Sequence, residues 1–412
     1  MLHFLAYGNS DQASFRDSEV RKCFDILTVP STIASYYSDA TAAFVLSSQL
    51  EYMVEPRTPL FQETLREPRA SHYTLAAVMG DAVNNHIKNH DNPASANGLH
   101  FSPNFYSNGV CQDMVASIVN FQRQYGERSR DISKKLDRYR RLLATASGES
   151  HIATKDDEQR HPTYVLCPYF AVQSFSDDWW KVMDRVWTAA KQLSNSKLIS
   201  PVVSMSNVSL LKEAIESVPD LLSSTIFFWI PSFDEKRVES DKLYQLTATV
   251  VGLQENSALI NLYGGYFSIM LSKLGLAGFN NGLGYSESRE WPVLDSTGAA
   301  PARYYLRRLH AYVPTATATA IIEADSDFAC SCSVCDNKLP NDLSYHELKK
   351  HFALARKREM DDVETTSLQD LCMALREDSF RFDRLRNKFP SGLRIPTEHL
   401  TRWAEVLESF NS

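Results

Sequence analysis

From residue 163 onward the chain alternates short apolar, β-rich runs with longer amphipathic stretches. That alternation restricts the fold more than any other feature. The runs are TYVLCPYFAV, KLISPVVSM, STIFFWIP, SALINLYGG and LAGFNNGLGY. Between them lie DDWWKVMDRVWTAAKQL, SLLKEAIESVPDLL, DKLYQLTATVVGLQ and YFSIMLSKLG, which read as helices. Units of about 25 to 35 residues, each a strand followed by a helix, argue for a parallel sheet. Strands that are apolar without interruption suit a sheet covered on both faces. No Gly-rich dinucleotide turn follows the first strand, so a closed (β/α)8 TIM-like barrel fits better than an open doubly wound sheet.

The remaining segments are less regular. AAFVLSS reads as a buried strand, and EYMVEPRTPLFQ as a Pro-bounded turn after it. Residues 85–160 hold NNHIKNHDNPASANG, a charged helical stretch and ASGESHIATKDDEQRHP, the pattern of a helical insertion with mobile ends. The expected organisation is a first part of the barrel over 1–84, the insertion over 85–160, the rest of the barrel over 161–325, and a C-terminal region over 326–412. That last region is charged and helical, and ends in TEHLTRWAEVLESF with Thr397 as the expected cap. A length of 412 residues accommodates one barrel with such additions. The formal charge of −7 excludes a basic nucleic-acid coat, so any nucleic-acid site must be a local patch. No run of about 18 apolar residues is present, and MLHFLAYGNSDQ turns polar too quickly for a secretory signal. Four scattered cysteines (Cys23, Cys111, Cys167, Cys372) make no disulfide framework, so a reducing cytoplasm is expected.

The other three cysteines cluster in CSCSVCDNKLPNDLSYHELKKH, residues 330–351. Thiolates at C-x-C-x2-C spacing with a nearby histidine select zinc, which takes four ligands in a tetrahedron. Cys330, Cys332 and Cys335 can wrap one ion through a tight turn. The fourth ligand is His346 or His351. We prefer His351, because it leads directly into the amphipathic run HFALARKRE and would pin that helix to the turn. Four protein ligands leave no open position, so the zinc is expected to be structural and the C-terminal region to be stapled by it.

CSCSVC followed by KKHFALARKRE resembles the zinc site of tRNA-guanine transglycosylases, with a shorter spacing to the histidine. Two further patches are similar. LINLYGGYFSIMLSKLGLAGFNNGLGYSESRE resembles the family stretch in which a strand ending in Gly-x-Gly leads through a helix to Phe-Asp-Cys and a downstream arginine. Gly264 and Gly265 fall near that glycine pair and Phe279 on the phenylalanine. Asn280 falls where the family keeps its nucleophilic aspartate. VEPRTPLFQ loosely resembles the Thr-Asp-Ser-Gly-Gly-Phe-Gln turn, with Glu55 near the catalytic acid and Phe61-Gln62 near Phe-Gln. The resemblance implies a TIM barrel, a zinc near its end and action at an N-glycosidic bond. An asparagine amide is neither charged nor a good nucleophile, so ordinary base exchange is put in doubt at Asn280.

Glycosidic cleavage passes through an oxocarbenium-like state, which needs a carboxylate near the sugar and a donor on the departing base. Three carboxylates follow strand ends, where barrel enzymes place their sites: Glu55, Asp234 and Glu287. The plain alternative for each is a solvated loop acid or a helix-start residue. Arg57 and Arg289 stand two residues from Glu55 and Glu287, as phosphate holders or as local ion-pair partners. Tyr263 and Tyr285 flank glycine turns and could stack on an extruded base. ARYYLRRLHAY brings Arg303 and His310 among tyrosines, a pattern that suits a backbone-tracking groove. Further basic clusters lie in RQYGERSRDISKKLDRYRR, KKHFALARKRE and SFRFDRLRNKF. No P-loop, H-E-x-x-H, G-x-S-x-G or zinc-deaminase pattern occurs.

The expected activity is therefore hydrolytic removal of a nucleic-acid base to leave an abasic site, as by a DNA glycosylase. Relatives of the family outside tRNA metabolism act on DNA around bacteriophage modification and defence, which makes a modified base the implied target and DNA the favoured partner over tRNA. Two alternatives stay open. One is a transglycosylase inserting a deazapurine, with Glu287 or Asp234 as nucleophile. The other is a non-catalytic, zinc-stabilised nucleic-acid-binding subunit, since eukaryotic-type transglycosylases pair an active with an inactive subunit. A homodimer is compatible with either.

Overall fold

In the computed structural model, one sheet carries the strands β1 (Leu2–Ala6), β2 (Ile26–Pro30), β3 (Glu51–Glu55), β4 (Tyr164–Leu166), β5 (Ile199–Ser200), β6 (Val202–Ser204), β7 (Thr225–Trp229), β8 (Ala258–Asn261) and β9 (Gly278–Gly282). The structure describes residues 1–412 except 63, 66–67, 90–97, 131, 148–160, 221, 285–286, 292–302, 337, 390–394 and 412. Every pairing in the sheet is parallel, in the order β5-β4-β3-β2-β1-β9-β8-β7-β6. The two end segments of that order are separated in the chain only by Pro201, which has no N–H for the ladder. β5 pairs with β4 and β6 with β7, so residues 199–204 act as one stave and the nine segments form an eight-stave ring. Pro201 still serves this stave, its carbonyl accepting from Phe227 N at 3.0 Å.

The parallel register decides which side chains point inward. In such a barrel, alternate staves contribute four inward residues to each layer. Here Phe4, Met53, Ser200 and Ile260 lie below Thr28, Leu166, Phe227 and Asn280. Above these come Ala6, Glu55, Val202 and Leu262, toward the C-terminal ends of the strands. Phe4 meets Phe227 and Tyr164 across the interior, at ring distances of 5.7 and 5.8 Å. The lower layers are therefore apolar packing, and polar groups begin at Thr28 and Asn280.

Every apolar run from 163 to 283 carries a strand, and the stretches between them carry the helices Asp178–Lys191, Leu211–Glu216, Ser240–Leu253 and Tyr266–Leu271. The first part of the chain departs from expectation. AAFVLSS is not a strand but lies in the helix Ser38–Ser47, and the strand is EYMVE just after it. The reason is burial from two sides. The helix Ser133–Ser147 packs over the outer face of Ser38–Ser47, with Phe44 against Tyr139 at 6.0 Å. A helix covered on both faces is apolar all round and loses the periodicity that marks an exposed one. Ser133–Ser147 belongs to the chain between β3 and β4, which also forms the helices Ala70–Val78, Asp81–Asn89 and Asn108–Arg123. The segments expected to be mobile ends of the insertion lie largely outside the described residues.

After β9 come an antiparallel hairpin of β10 (Tyr304–Leu306) and β11 (Ala311–Val313), the helix Thr315–Ala324, the cysteine turn, and the helices Tyr345–Thr365, Leu368–Arg386 and Glu398–Glu408. Ser344 and Glu347 form a reciprocal cap at the start of Tyr345–Thr365. Thr397 precedes the last helix as expected, but its hydroxyl turns to Asp383 (3.4 Å) and bonds no helix N–H. Among the described residues, no helix is long and apolar enough to cross a membrane.

Candidate functional site at the barrel mouth

Glu55 is the last residue of β3 and faces the barrel axis, 1% exposed. A bare carboxylate there would be prohibitive, so it is surrounded by donors. Arg57 Nε pairs with one carboxylate oxygen. The other accepts from Tyr169 Oη at 2.5 Å and Tyr263 Oη at 3.3 Å, with Arg289 Nη1 at 3.6 Å. Arg289 also donates to Tyr263 Oη at 2.8 Å and lies over the Trp229 ring at 5.4 Å. Burial raises both tyrosines above their usual range, so they act as neutral donors. Local structure holds each partner. Arg57 is left-handed (φ 57°), an uncommon state for a residue with a Cβ. The turn that follows it is tied to the loop carrying Tyr169, through Thr58 and through Gln62, whose Oε1 accepts from Ala171 N at 2.8 Å. Ser232 accepts from Trp291 N (2.9 Å) and donates its own N–H to Arg289 O (2.9 Å), which fixes the loop that brings Arg289 inward.

Below Glu55 lies Asn280, buried, with Nδ2 donating to Leu262 O at 3.0 Å. Its Oδ1 has no protein partner. The same holds for Thr28 Oγ1, Ser204 Oγ and Trp229 Nε1, all inward-facing and at most 3% exposed. Buried polar atoms are normally hydrogen-bonded. Four such atoms of both donor and acceptor type surround the mouth, where Ala6 and Gly282 contribute almost no side-chain volume. Glu55, Arg57, Tyr263, Arg289 and Asn280 are thus brought together here. Tyr169, Trp229, Thr28 and Ser204 join them without having been singled out in the sequence. Tyr169 lies just past the end of β4, the same kind of position as Glu55 at the end of β3.

Asp234, Glu287 and Arg303 lie apart from Glu55, in the wall of a neighbouring cleft. Asp234 accepts from Lys236 N (3.0 Å) and pairs with Arg237 (3.3 Å), as a turn-start acid does. Glu287 is mostly buried against Lys236 and Arg356. Burial pushes its pKa up, but Lys236 and Arg356 outweigh burial and hold it below the usual glutamate range. Next to Asp234, Glu235 carries no sequence signal that separates it from an ordinary turn acid. It is buried and accepts from the N–H groups of Gly265 (2.9 Å) and Phe267 (3.1 Å), closing the start of the helix Tyr266–Leu271. Burial raises it to about 7 against those donors. A Cβ on Gly265 would stand 2.9 Å from Glu235 Oε2, and one on Gly264 2.5 Å from Ser268 Oγ. Both glycines are therefore required by packing at this helix start. Tyr285 lies outside the described residues.

His310 is left-handed (φ 46°) and buried, stacked on Tyr266 at 3.4 Å, with Nδ1 2.6 Å from Glu359. Glu359 also accepts from Tyr305 Oη (2.9 Å) and pairs with Arg356 (2.8 Å), which continues to Glu287. His310 is thus part of a buried charge chain joining the C-terminal helices to the barrel rim.

Cys330, Cys332, Cys335 and His351 offer ligand atoms all within 4.8 Å of one another. His351 Nδ1 lies 3.3 Å from Cys335 Sγ and 3.6 Å from Cys332 Sγ. Its Nε2 donates to Tyr305 O at 2.8 Å, which leaves Nδ1 as the coordinating atom, and its ring stacks on Tyr304 at 4.1 Å. This three-thiol, one-imidazole set fits a tetrahedral ion such as zinc. His346 instead faces Ser14 (3.4 Å). The basic cluster on the same helix is largely spent on intramolecular pairs: Lys349 with Asp11, Lys350 with Asp17 and Glu19, Lys357 with Asp361. Arg307 and Arg308 pair with Asp362 and Asp378, and Arg381 with Asp325 and Asp327. No protein-family model matches the chain, and no curated protein is significantly similar to it.

Proposed function

We propose that the barrel mouth cleaves the N-glycosidic bond of a nucleotide in nucleic acid, removing the base and leaving an abasic site. The observation that carries this reading is Glu55, a carboxylate at the C-terminal end of a barrel strand, caged by two arginines and two tyrosines above unpartnered polar atoms on the inward face. A carboxylate in such a place favours positive charge developing on a sugar. Arg57 and Arg289 hold it aimed. Asn280 Oδ1, Thr28 Oγ1, Ser204 Oγ and Trp229 Nε1 offer acceptors and donors to a base whose edge carries both. Trp229 and Tyr263 supply aromatic surface for it. The likeness to transglycosylases in the cysteine turn supports the same reaction class, with DNA carrying a modified base as the favoured substrate and phage defence as its setting. A metal such as zinc, held by Cys330, Cys332, Cys335 and His351, would be structural and take no part in the reaction.

Mass spectrometry of bases released from unmodified DNA, phage-modified DNA and tRNA tests the reading. Base release is expected from one of the three, and Glu55→Gln should lower it about a hundredfold or more. Labelled free deazapurine separates hydrolysis from exchange: exchange would build label into the polymer, hydrolysis would not. Silence on all three substrates removes the reading and leaves a binding subunit in its place.

A further inference from the structure

We infer that the cleft beside the barrel mouth is a phosphate-binding subsite for the nucleotide next to the one held at Glu55. This rests on the reading of the mouth and adds to it a site for the backbone of the polynucleotide substrate. The cleft encloses about 450 Å³, within the range of small-ligand sites. Lys236 and Arg237 line it from the turn after β7, and Arg303 from the start of the hairpin. Arg303 is exposed and makes no ion pair among the described residues. Arg237 is 86% exposed, with only Asp234 at 3.3 Å. Glu287 is engaged with Lys236 and Arg356 and neutralises neither of these two arginines. Three cations (Lys236, Arg237, Arg303) face two carboxylates (Asp234, Glu287) in the lining, so a net positive charge remains in a concave site, where it acts more strongly than on a flat surface.

His399 supplies a second, independent observation. The residue lines the same cleft yet is 2% exposed. Nε2 donates to Leu309 O at 3.0 Å, so a neutral ring presents Nδ1 as an acceptor. That Nδ1 is buried without a protein partner. Burial pushes the ring down to about 3, helped by His310 and Lys236, so it is neutral at physiological pH. The ligand must then bring anionic oxygens for the arginines and a hydroxyl or amino donor for Nδ1. A nucleotide unit carries both, and Pro314 and Pro396 give its sugar an apolar wall. The mouth and the cleft share one loop: Glu287 lines the cleft and Arg289 reaches Glu55. Two residues of extended chain span about 7 Å, close enough for consecutive nucleotides to occupy both sites.

The test uses the full chain and short fluorescent single-stranded DNA and RNA oligonucleotides of one sequence. Anisotropy across a salt series gives affinity and its salt slope, and base release is measured in parallel from the oligonucleotide and from the free nucleoside. The double variant Arg237→Ala, Arg303→Ala should bind the preferred oligonucleotide about tenfold more weakly or worse, and lower the slope of log K against log salt by about one to two. Arg376→Ala, whose exposed pair with Glu408 lies outside the cleft, should change neither. Release from the free nucleoside should be unaffected. Unchanged affinity and slope in the double variant, or no oligonucleotide binding by the native chain, overturns the inference. Binding that responds as expected while no base is released leaves the phosphate cleft standing and overturns only the chemistry assigned to the mouth.

Discussion

His3, on the outward face of β1, is an example of how much one buried ring can impose on stability. It stacks on Phe279 at 4.7 Å, and its Nδ1 lies 3.0 Å from Cys23 O. A carbonyl only accepts, so Nδ1 carries the proton and a neutral Nε2 must accept from Asn281, 3.0 Å away. The Asn281 amide must then turn its Nδ2 toward the ring, which also partners the nitrogen otherwise orphaned there. Burial pushes His3 down to about 4. The unfolded chain takes up this proton near pH 6.5, the folded one only near 4, so the unfolded state binds more protons between the two values. Stability should thus fall as pH drops through that window, by roughly 3 kcal/mol from His3. Urea unfolding at pH 7 and pH 4.5 measures it. His3→Gln should remove this share of the difference, and His399, displaced in the same direction, should retain its own. Of the residues at the mouth, the sequence could nominate Glu55, Arg57, Tyr263 and Arg289 because they sit at or near strand ends and turns, and Asn280 through the likeness of its stretch to the transglycosylases. Trp229 and Ser204 read as ordinary strand residues. Their roles come from facing inward near the top of the ring, which one strand alone does not reveal.

At the scale of elements, the helix Tyr345–Thr365 does several jobs on different faces. His351 faces the three cysteines, Lys349 is buried against Asp11, and Arg356 and Glu359 enter the charge chain to Glu287. If the cluster holds a zinc ion, His351→Ala should lose it while His346→Ala keeps it. Metal content by mass spectrometry after dialysis against a weak chelator distinguishes the two, with one ion per chain expected in the native protein and in His346→Ala. Removing the ion with a strong chelator should also lower the melting temperature, since a closed tetrahedral site contributes folding free energy. The cysteine cluster was readable because its ligands are close in sequence and their spacing is set by one turn. Ser38–Ser47 was misread because its burial depends on Ser133–Ser147, some hundred residues later.

For the molecule as a whole, the question is what joins the C-terminal helices to the barrel. Trp403 Nε1 donates to Glu235 O at 2.8 Å and Arg402 to Lys236 O at 2.6 Å, so the last helix grips the turn after β7. Arg356, fully buried between Glu287 and Glu359, is the central link. Arg356→Met should cost about 3–5 kcal/mol, because it removes the guanidinium shared by two buried carboxylates and leaves Glu287 with Lys236 alone. Arg376→Ala, which breaks an exposed pair, should cost at most about 1 kcal/mol. Paired urea titrations compare them. By itself the sequence determined the alternation of strand and helix, hence a parallel barrel, and the metal-type turn with His346 or His351 as its fourth member, of which the structure brings His351 to the thiols. Those features rest on periodicity and short-range spacing, which local chemistry dictates. Tertiary structure alone decided that residues 199–204 close the ring across Pro201, that Glu55 rather than Asp234 or Glu287 occupies the mouth, and that most basic clusters are consumed by internal acids. Each of these depends on groups far apart in the chain, brought together only when the ring closes and the tail docks against it.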